Sequence, residues 1–165
     1  MGINFAALSG DLNQSSLYVY NKTAAPTPTG FFIGALQIGT AGNAISHENS
    51  GQIRSRGPNA NTVGSSVIAT GGDFRGHIML NRVDPTLAQL SFHNDNSEFI
   101  GNITDASTAE PATEIVVMAL NSGNYSDANI AFAFVGQSLT IEQAQSLREA
   151  VDSFQSALNL SLIHI

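Results

Sequence analysis

The chain has 165 residues and no cysteine, which is enough for one domain with a sizeable core and excludes disulfides, thiolate metal sites and a cysteine nucleophile. Charged residues make up only 12% of it, and the net charge is −7 with six basic residues. This balance argues against a nucleic-acid partner, which requires clustered positive charge. No apolar run approaches the ~20 residues that span a bilayer, so membrane insertion is not expected.

Polar surface in such a chain must come from Ser, Thr, Asn, Gln and Gly, a composition common in all-β domains of extracellular and virion proteins. Short apolar or alternating segments between turn residues predict about eight to ten strands. The turn 94–97 predicts a hairpin, residues 40–50 a loop or weak strand, and residues 114–120 a central strand that is apolar on both faces. We place strands at residues 16–22, 31–38, 51–56, 67–70, 76–82, 87–93, 98–103, 114–120 and 129–135.

The segment 129–158 predicts a strand, a turn and one capped helix. In NIAFAFV, Ile and Phe alternate with Ala, so the large side chains are expected on one face of a strand that is covered on both sides. Thr140 has the N-cap residue type, and Gln143 three positions later completes a capping box. The helix is therefore expected over about residues 140–158, with one apolar stripe formed by Ala144, Leu147, Val151, Phe154 and Leu158.

The last six residues, LSLIHI, resemble the translation of an adapter used in preparing sequencing libraries. We interpret residues 160–165 as an artefact at the end of a truncated reading frame, and residues 1–159 as the domain. The alternative is an ordinary apolar tail. On the first interpretation His164 has no function to explain.

The order of these elements resembles the laminin G-like domains of bacteriophage tail and head-fibre proteins, which have the concanavalin A-like lectin/glucanase fold. The resemblance rests on SSLYVYNKT, on RGHIMLNRV before the hairpin LAQLSFHNDNSEFIGNITD, on ATEIVVMALNSGN, and on the closing NIAFAFVGQSLTIEQAQSLREAVDSFQSAL. It covers about residues 15–158. The resemblance implies an all-β, concanavalin A-like two-sheet jelly-roll sandwich with one C-terminal α-helix.

The same resemblance implies a non-enzymatic structural or adhesive module of a virion, in a tail or head fibre. Its partners would be other virion proteins and host-surface glycans, and fibre proteins are commonly homotrimers. Two alternatives stay open, because one fold hosts many functions. The first is a lectin-like module of a secreted bacterial adhesin, outside the cell or on its surface. The second is a glycoside hydrolase or lyase of the same fold.

Catalytic residues are not predicted. Hydrolases of this fold place two carboxylates on one strand in a Glu-x-Asp-x-Glu pattern, which this sequence lacks, and its nearest pair, Asp95 and Glu98, flanks a hairpin turn. A Ser/His/acid site is not indicated either, since there is no Gly-x-Ser-x-Gly elbow. We interpret His47 in a polar loop, His77 at a strand start and His93 beside the hairpin as surface or satisfied polar residues.

Sugar binding would use an exposed aromatic ring together with amide and carboxylate groups. Tyr125 has this setting in a predicted loop, so we predict Tyr125, Asn124 and Asp127 as carbohydrate contacts. Tyr18 and Tyr20 share one face of a predicted strand, and we interpret them as sandwich residues with hydrated hydroxyls.

Cofactors are not predicted. Laminin G-like domains sometimes bind Ca²⁺ through loop oxygens, so the resemblance leaves a Ca²⁺ site open without a supporting motif. The carboxylates that lie in or beside predicted loops are Asp73, Asp95, Asp105 and Asp127.

Overall fold

The computed structural model describes residues 3–4, 14–27, 30–37, 41–48, 51–56, 67–95, 97–104, 114–117 and 126–162. In this part of the chain, eleven strands precede one helix, α1 (Ile141–Leu162). The strands are β1 (Ile3–Asn4), β2 (Ser15–Asn21), β3 (Gly30–Gln37), β4 (Ala41–Glu48), β5 (Gln52–Arg56), β6 (Val67–Ala69), β7 (Gly76–Asp84), β8 (Leu87–Asn94), β9 (Ser97–Ile103), β10 (Glu114–Val117) and β11 (Ile130–Gly136).

The strands form two antiparallel sheets. One has six strands in the order β1-β10-β3-β4-β5-β6, and the other has five in the order β11-β2-β7-β8-β9. Both sheets contribute to the main hydrophobic core, so the fold is a β-sandwich followed by one C-terminal helix. The core side chains include Leu17, Val19, Ile78, Leu80, Leu90 and Phe92 from the five-stranded sheet, and Phe32, Ile33, Ile45, Ile53 and Ile68 from the six-stranded sheet.

Side-chain alternation explains why these segments form strands. In β8, buried Ala88, Leu90 and Phe92 alternate with half-buried residues, which is the period-2 pattern of a sheet with one covered face. In β2 nearly every residue is buried on both faces. Leu17 and Val19 on its inner face contact the core. On the outer face of the same sheet, Asp152 of α1 bonds His77 of β7, and Arg148 of α1 bonds Glu98 of β9.

A polar network fixes the approach to α1. The Ser16 hydroxyl donates to Asn81 Oδ1 at 2.6 Å, and the Asn81 amide in turn bonds both backbone groups of Leu139, at 2.8 and 3.0 Å. Two buried polar side chains are thereby satisfied, which removes the desolvation cost of unpaired groups. The loop before the helix is held against the outer face of the five-stranded sheet.

The predicted capping box is confirmed. The Thr140 N–H donates to Gln143 Oε1 at 2.9 Å, and the Gln143 N–H donates to Thr140 Oγ1 at 3.3 Å. The helix runs to Leu162, beyond the predicted end at residue 158. In the part of the chain that the structure describes, no helix combines the length and apolarity needed to cross a membrane.

The predicted apolar stripe of α1 is only partly buried. Ala144 and Val151 are buried as expected, but Phe154 and Leu158 are 53% and 44% exposed, and Gln155 is buried instead. The reason is that α1 packs on a polar surface. Its inward side includes Arg148 and Asp152, which meet charged and imidazole groups of the sheet.

Nine predicted strands and the hairpin turn are confirmed, with three differences of detail. Residues 41–48 form a full strand, because β4 pairs along its length with both β3 and β5. Among the described strands, β10 lies one strand from the sheet edge instead of at its centre, with two-residue β1 beyond it. β11 is an edge strand with a register shift between Ile130 and Phe132. Because of this shift, Ile130 packs against the core, whereas Phe132 contacts Tyr18 on the outer face of the sheet.

Candidate ligand-binding site

A polar cavity of about 300 Å³ lies beside α1 on the outer face of the five-stranded sheet. Its floor is a row of three rings on adjacent strands, because Tyr20 pairs with His77 and His77 pairs with His93. The Tyr20 and His77 rings are 4.8 Å apart between centroids, and the His77 and His93 rings are 6.1 Å apart. The remaining lining residues are Asp73, Arg75, Gly76, Asn94, Asp95 and Asp152.

His77 links the sheet to the helix through both ring nitrogens. Its Nδ1 is in a short hydrogen bond with the Tyr18 hydroxyl, and its Nε2 is 3.0 Å from Asp152 Oδ1. These partners satisfy a neutral imidazole, with Tyr18 donating to Nδ1 and Nε2–H donating to the carboxylate. Burial lowers the pKa of His77, although Asp152 acts in the opposite direction. Burial, followed by the Asp152 charge, raises the pKa of Tyr18, so its hydroxyl stays a donor.

The lowered pKa of His77 predicts a pH dependence of stability. The unfolded chain takes up a proton at this residue below about pH 6.5, whereas the folded chain takes it up only at lower pH. The stability that comes from keeping His77 neutral in the fold is therefore fully present above the pKa of His77 in the unfolded chain. It is lost as the pH falls below that value. Between about pH 7.5 and pH 5.5, we expect urea unfolding to show a larger loss of stability for the wild type than for His77→Gln. Equal losses of stability in the two proteins would show that His77 is not the source of the pH dependence. Buried His47, whose pKa is also lowered, is present in both proteins and would then account for it.

The acidic groups of the cavity act on different neighbours. Arg75 forms a two-pronged ion pair with Asp73, at 2.7 Å between Nη2 and Oδ2 and 3.1 Å between Nε and Oδ1, and these hydrogen bonds lower the pKa of Asp73. Burial, followed by the charges of Asp152 and Asp95, raises the pKa of Tyr20. The charge of Asp95 also acts on Arg75.

Gly76 shapes the end of the cavity where β7 begins. Its φ is +131°, and a Cβ built there would lie 2.3 Å from the carbonyl oxygen of His93. Only glycine combines this backbone conformation with so close an approach of two strands. The residue therefore sets the spacing between His77 and His93 at the cavity floor.

The predicted carbohydrate contacts do not lie at this cavity as far as the structure describes them. Asp127 accepts hydrogen bonds from the backbone N–H and the hydroxyl of Thr27, so it joins two loops at a different place. Tyr125 and Asn124 lie outside the described residues, and so does the proposed Ca²⁺ oxygen donor Asp105. Among the described residues, no group of three His, Asp or Glu side chains is arranged to hold a metal ion.

The histidine and tyrosine predictions have mixed outcomes. His77 is a satisfied polar residue, as predicted. His47 lies in β4 and not in a loop, fully buried, with Nε2 2.7 Å from the Ser126 hydroxyl. The hydrated hydroxyl predicted for Tyr18 is wrong, because its side chain is 1% exposed and bonded to His77. Tyr20 remains half-buried on the cavity floor.

Sequence reasoning missed that Asp152, His77 and Tyr20 belong to one site. A signal existed in α1, where Arg148, Asp152 and Gln155 lie on the same side as buried Ala144 and Val151. Polar residues on the inward side of a helix indicate a polar surface beneath it.

The chain matches no protein-family model, no curated protein and no solved structure.

Proposed function

We propose that this chain is a non-enzymatic adhesive module of a bacteriophage tail or head fibre, with a concanavalin A-like jelly roll, and that it binds a host-surface glycan in the cavity at Tyr20. The observation that carries the proposal is the convergence of one aromatic ring with carboxylate, amide, guanidinium and imidazole groups in a single cavity. Convergent polar groups fix the orientation of a small ligand, and a lining that is polar apart from the Tyr20 ring suits a polar ligand.

The chemistry of the cavity suits a pyranose ring. A sugar presents C–H groups on one face and hydroxyls around its edge. The Tyr20 ring offers an aromatic face for the C–H groups of the sugar. Asn94, Asp95 and Arg75 belong to the residue types that form hydrogen bonds with its hydroxyls. A volume of about 300 Å³ is at the lower end of small-ligand pockets, which favours the terminal residue of a glycan over a long chain.

The scaffold holds these groups in place before any ligand arrives. Tyr20, His77 and His93 project from three hydrogen-bonded strands, and Asp152 is tied to His77 at 3.0 Å. Binding groups fixed by strands and by a second layer of hydrogen bonds lose little conformational entropy on binding.

The non-enzymatic part of the proposal is supported by the state of the carboxylates. Glycoside hydrolysis requires a general acid whose pKa is raised. Arg75 instead lowers the pKa of Asp73, and Asp152 Oδ1 accepts a hydrogen bond from Nε2–H of His77. These two groups therefore act as fixed acceptors in the described structure.

The virion setting in the proposal includes other virion proteins as partners and a homotrimeric assembly. It is supported by the strand–helix pattern of the sequence and by the exposed apolar side chains Phe154 and Leu158 on α1, which a neighbouring subunit could cover. Detection of the chain in purified phage particles, by mass spectrometry of washed virions, tests this part. Absence from the particles would count against it and favour a secreted adhesin.

The glycan-binding part is tested by screening the full chain on an array of bacterial surface glycans and titrating the strongest hit by calorimetry. We expect Tyr20→Leu to weaken binding about three- to tenfold, since it removes the aromatic face. Phe99→Leu, which changes an exposed ring outside the cavity, is the matched control and should leave the affinity unchanged. No array hit, or equal effects of the two variants, would overturn binding at Tyr20. Hydrolysis or cleavage of the bound glycan would overturn the non-enzymatic assignment.

A further inference from the structure

We infer that the cavity selects a sugar with a free, positively charged amino group over a neutral or acidic sugar. This inference rests on the proposed function and deepens it, because it names the chemical class of glycan that the same cavity takes.

The first argument is the charge of the lining. The lining contains three carboxylates, those of Asp73, Asp95 and Asp152, and one guanidinium, that of Arg75. Arg75 forms an ion pair with Asp73 at 2.7 Å. Asp95 and Asp152 add two further carboxylates to the lining; the charge of Asp95 also acts on Arg75, and Asp152 is bonded to His77. His77 does not compensate for them at neutral pH, because burial keeps its ring neutral. With a net charge of −7, the chain as a whole also attracts cations and repels sugar carboxylates or phosphates.

The second argument is that an aromatic ring and carboxylates line the same cavity. Tyr20, Asp95 and Asp152 all belong to its lining, and the charges of both acids act on the Tyr20 hydroxyl. A half-buried ring and carboxylates in one cavity bind an ammonium group together, through the ring face and through charge-assisted hydrogen bonds.

The third argument is that Asp152 is held for this role from beneath. Oδ1 accepts from His77 Nε2, and the opposite nitrogen of His77 is bonded to buried Tyr18. The carboxylate is therefore oriented by a chain of buried groups, while the Asp152 side chain remains 57% exposed in the cavity lining. The charge of the lining, the ring in the same cavity and this buried support are separate observations that lead to the same ligand chemistry.

The test compares two probes that differ only in the amine. The full chain is titrated by calorimetry with a glucosamine tetramer and with its N-acetylated counterpart, at a pH where the free amine is protonated. A metal chelator is present, so that a bridging divalent ion cannot imitate the effect. We expect the glucosamine tetramer to bind about tenfold more tightly, and we expect added salt to reduce that preference.

A matched pair of charge variants locates the effect. Asp95→Asn should weaken binding of the free amine about fivefold more than it weakens binding of the acetylated probe. Glu149→Gln removes the same charge from the exposed surface of α1, outside the cavity lining, and should change neither. Circular dichroism melts of both variants verify that each is folded.

Two failures are distinguishable. Equal affinity for both probes, tighter binding of the acetylated probe, or no binding of the glucosamine tetramer overturns the selection for an amine. The proposed function survives any of these results if an array glycan still binds and Tyr20→Leu weakens that binding. It falls if no glycan binds, or if Tyr20→Leu and Phe99→Leu change the affinity equally.

Discussion

Replacing Gly76 with alanine should lower the free energy of unfolding by about 3 kcal/mol or more. A φ of +131° is strained for any residue with a Cβ, and the new Cβ would lie 2.3 Å from the carbonyl oxygen of His93. The obstacle is backbone in a paired strand, so it cannot move without opening the β7–β8 ladder. Urea unfolding followed by circular dichroism measures the loss.

Gly71→Ala is the matched control for this prediction. Gly71 also has a positive φ, of +67°, but a Cβ there would meet nothing within 4 Å. Its expected cost is about 1 kcal/mol, which is the penalty for a left-handed residue alone. Similar losses in the two variants would show that the close approach of β7 and β8 at the cavity is not maintained in solution.

Replacing Phe92 with alanine should lower the free energy of unfolding by about 3–5 kcal/mol. The side chain is fully buried in the core between the two sheets. Removal of the ring leaves a cavity that the paired strands cannot close. The lost transfer free energy of the ring and the free-energy cost of the cavity therefore both lower the stability. The m-value should stay constant if the fold is otherwise retained.

Phe99→Ala provides the control, because Phe99 pairs directly with Phe92 on the neighbouring strand. Phe99 is 42% exposed at the edge of the five-stranded sheet, so its truncation should cost about 1 kcal/mol. A loss for Phe99→Ala as large as that for Phe92→Ala would contradict the burial of Phe92 between two sheets.

Strands and the helix start were predictable because their causes are local. Alternation in β8 and the polar turn after Asn94 determine a hairpin within one short stretch of chain. The Thr140–Gln143 capping box likewise requires only residues three positions apart. β4 was underestimated because its residues are polar, and its pairing with strands on both sides depends on partners elsewhere in the chain.

The candidate site was not predictable in the same way, because its members are distant in sequence. His77 and Asp152 are 75 residues apart, and only the docking of α1 brings them together. The loop at Tyr125 was chosen from its local composition, which carries no information about convergence. Tyr18 and Tyr20 were correctly placed on one strand face, but which of them stays accessible depends on where the helix covers that face.

The burial of Tyr18 beneath α1 gives the protein a natural optical reporter. The chain contains no tryptophan and three tyrosines, so tyrosine dominates its near-ultraviolet absorbance and emission. Two of the three, Tyr18 and Tyr20, adjoin His77 at the interface between helix and sheet. Detachment of the helix and occupation of the cavity should each perturb a different one of these phenols. Helix docking and ligand binding can therefore be followed spectroscopically in the unlabelled protein.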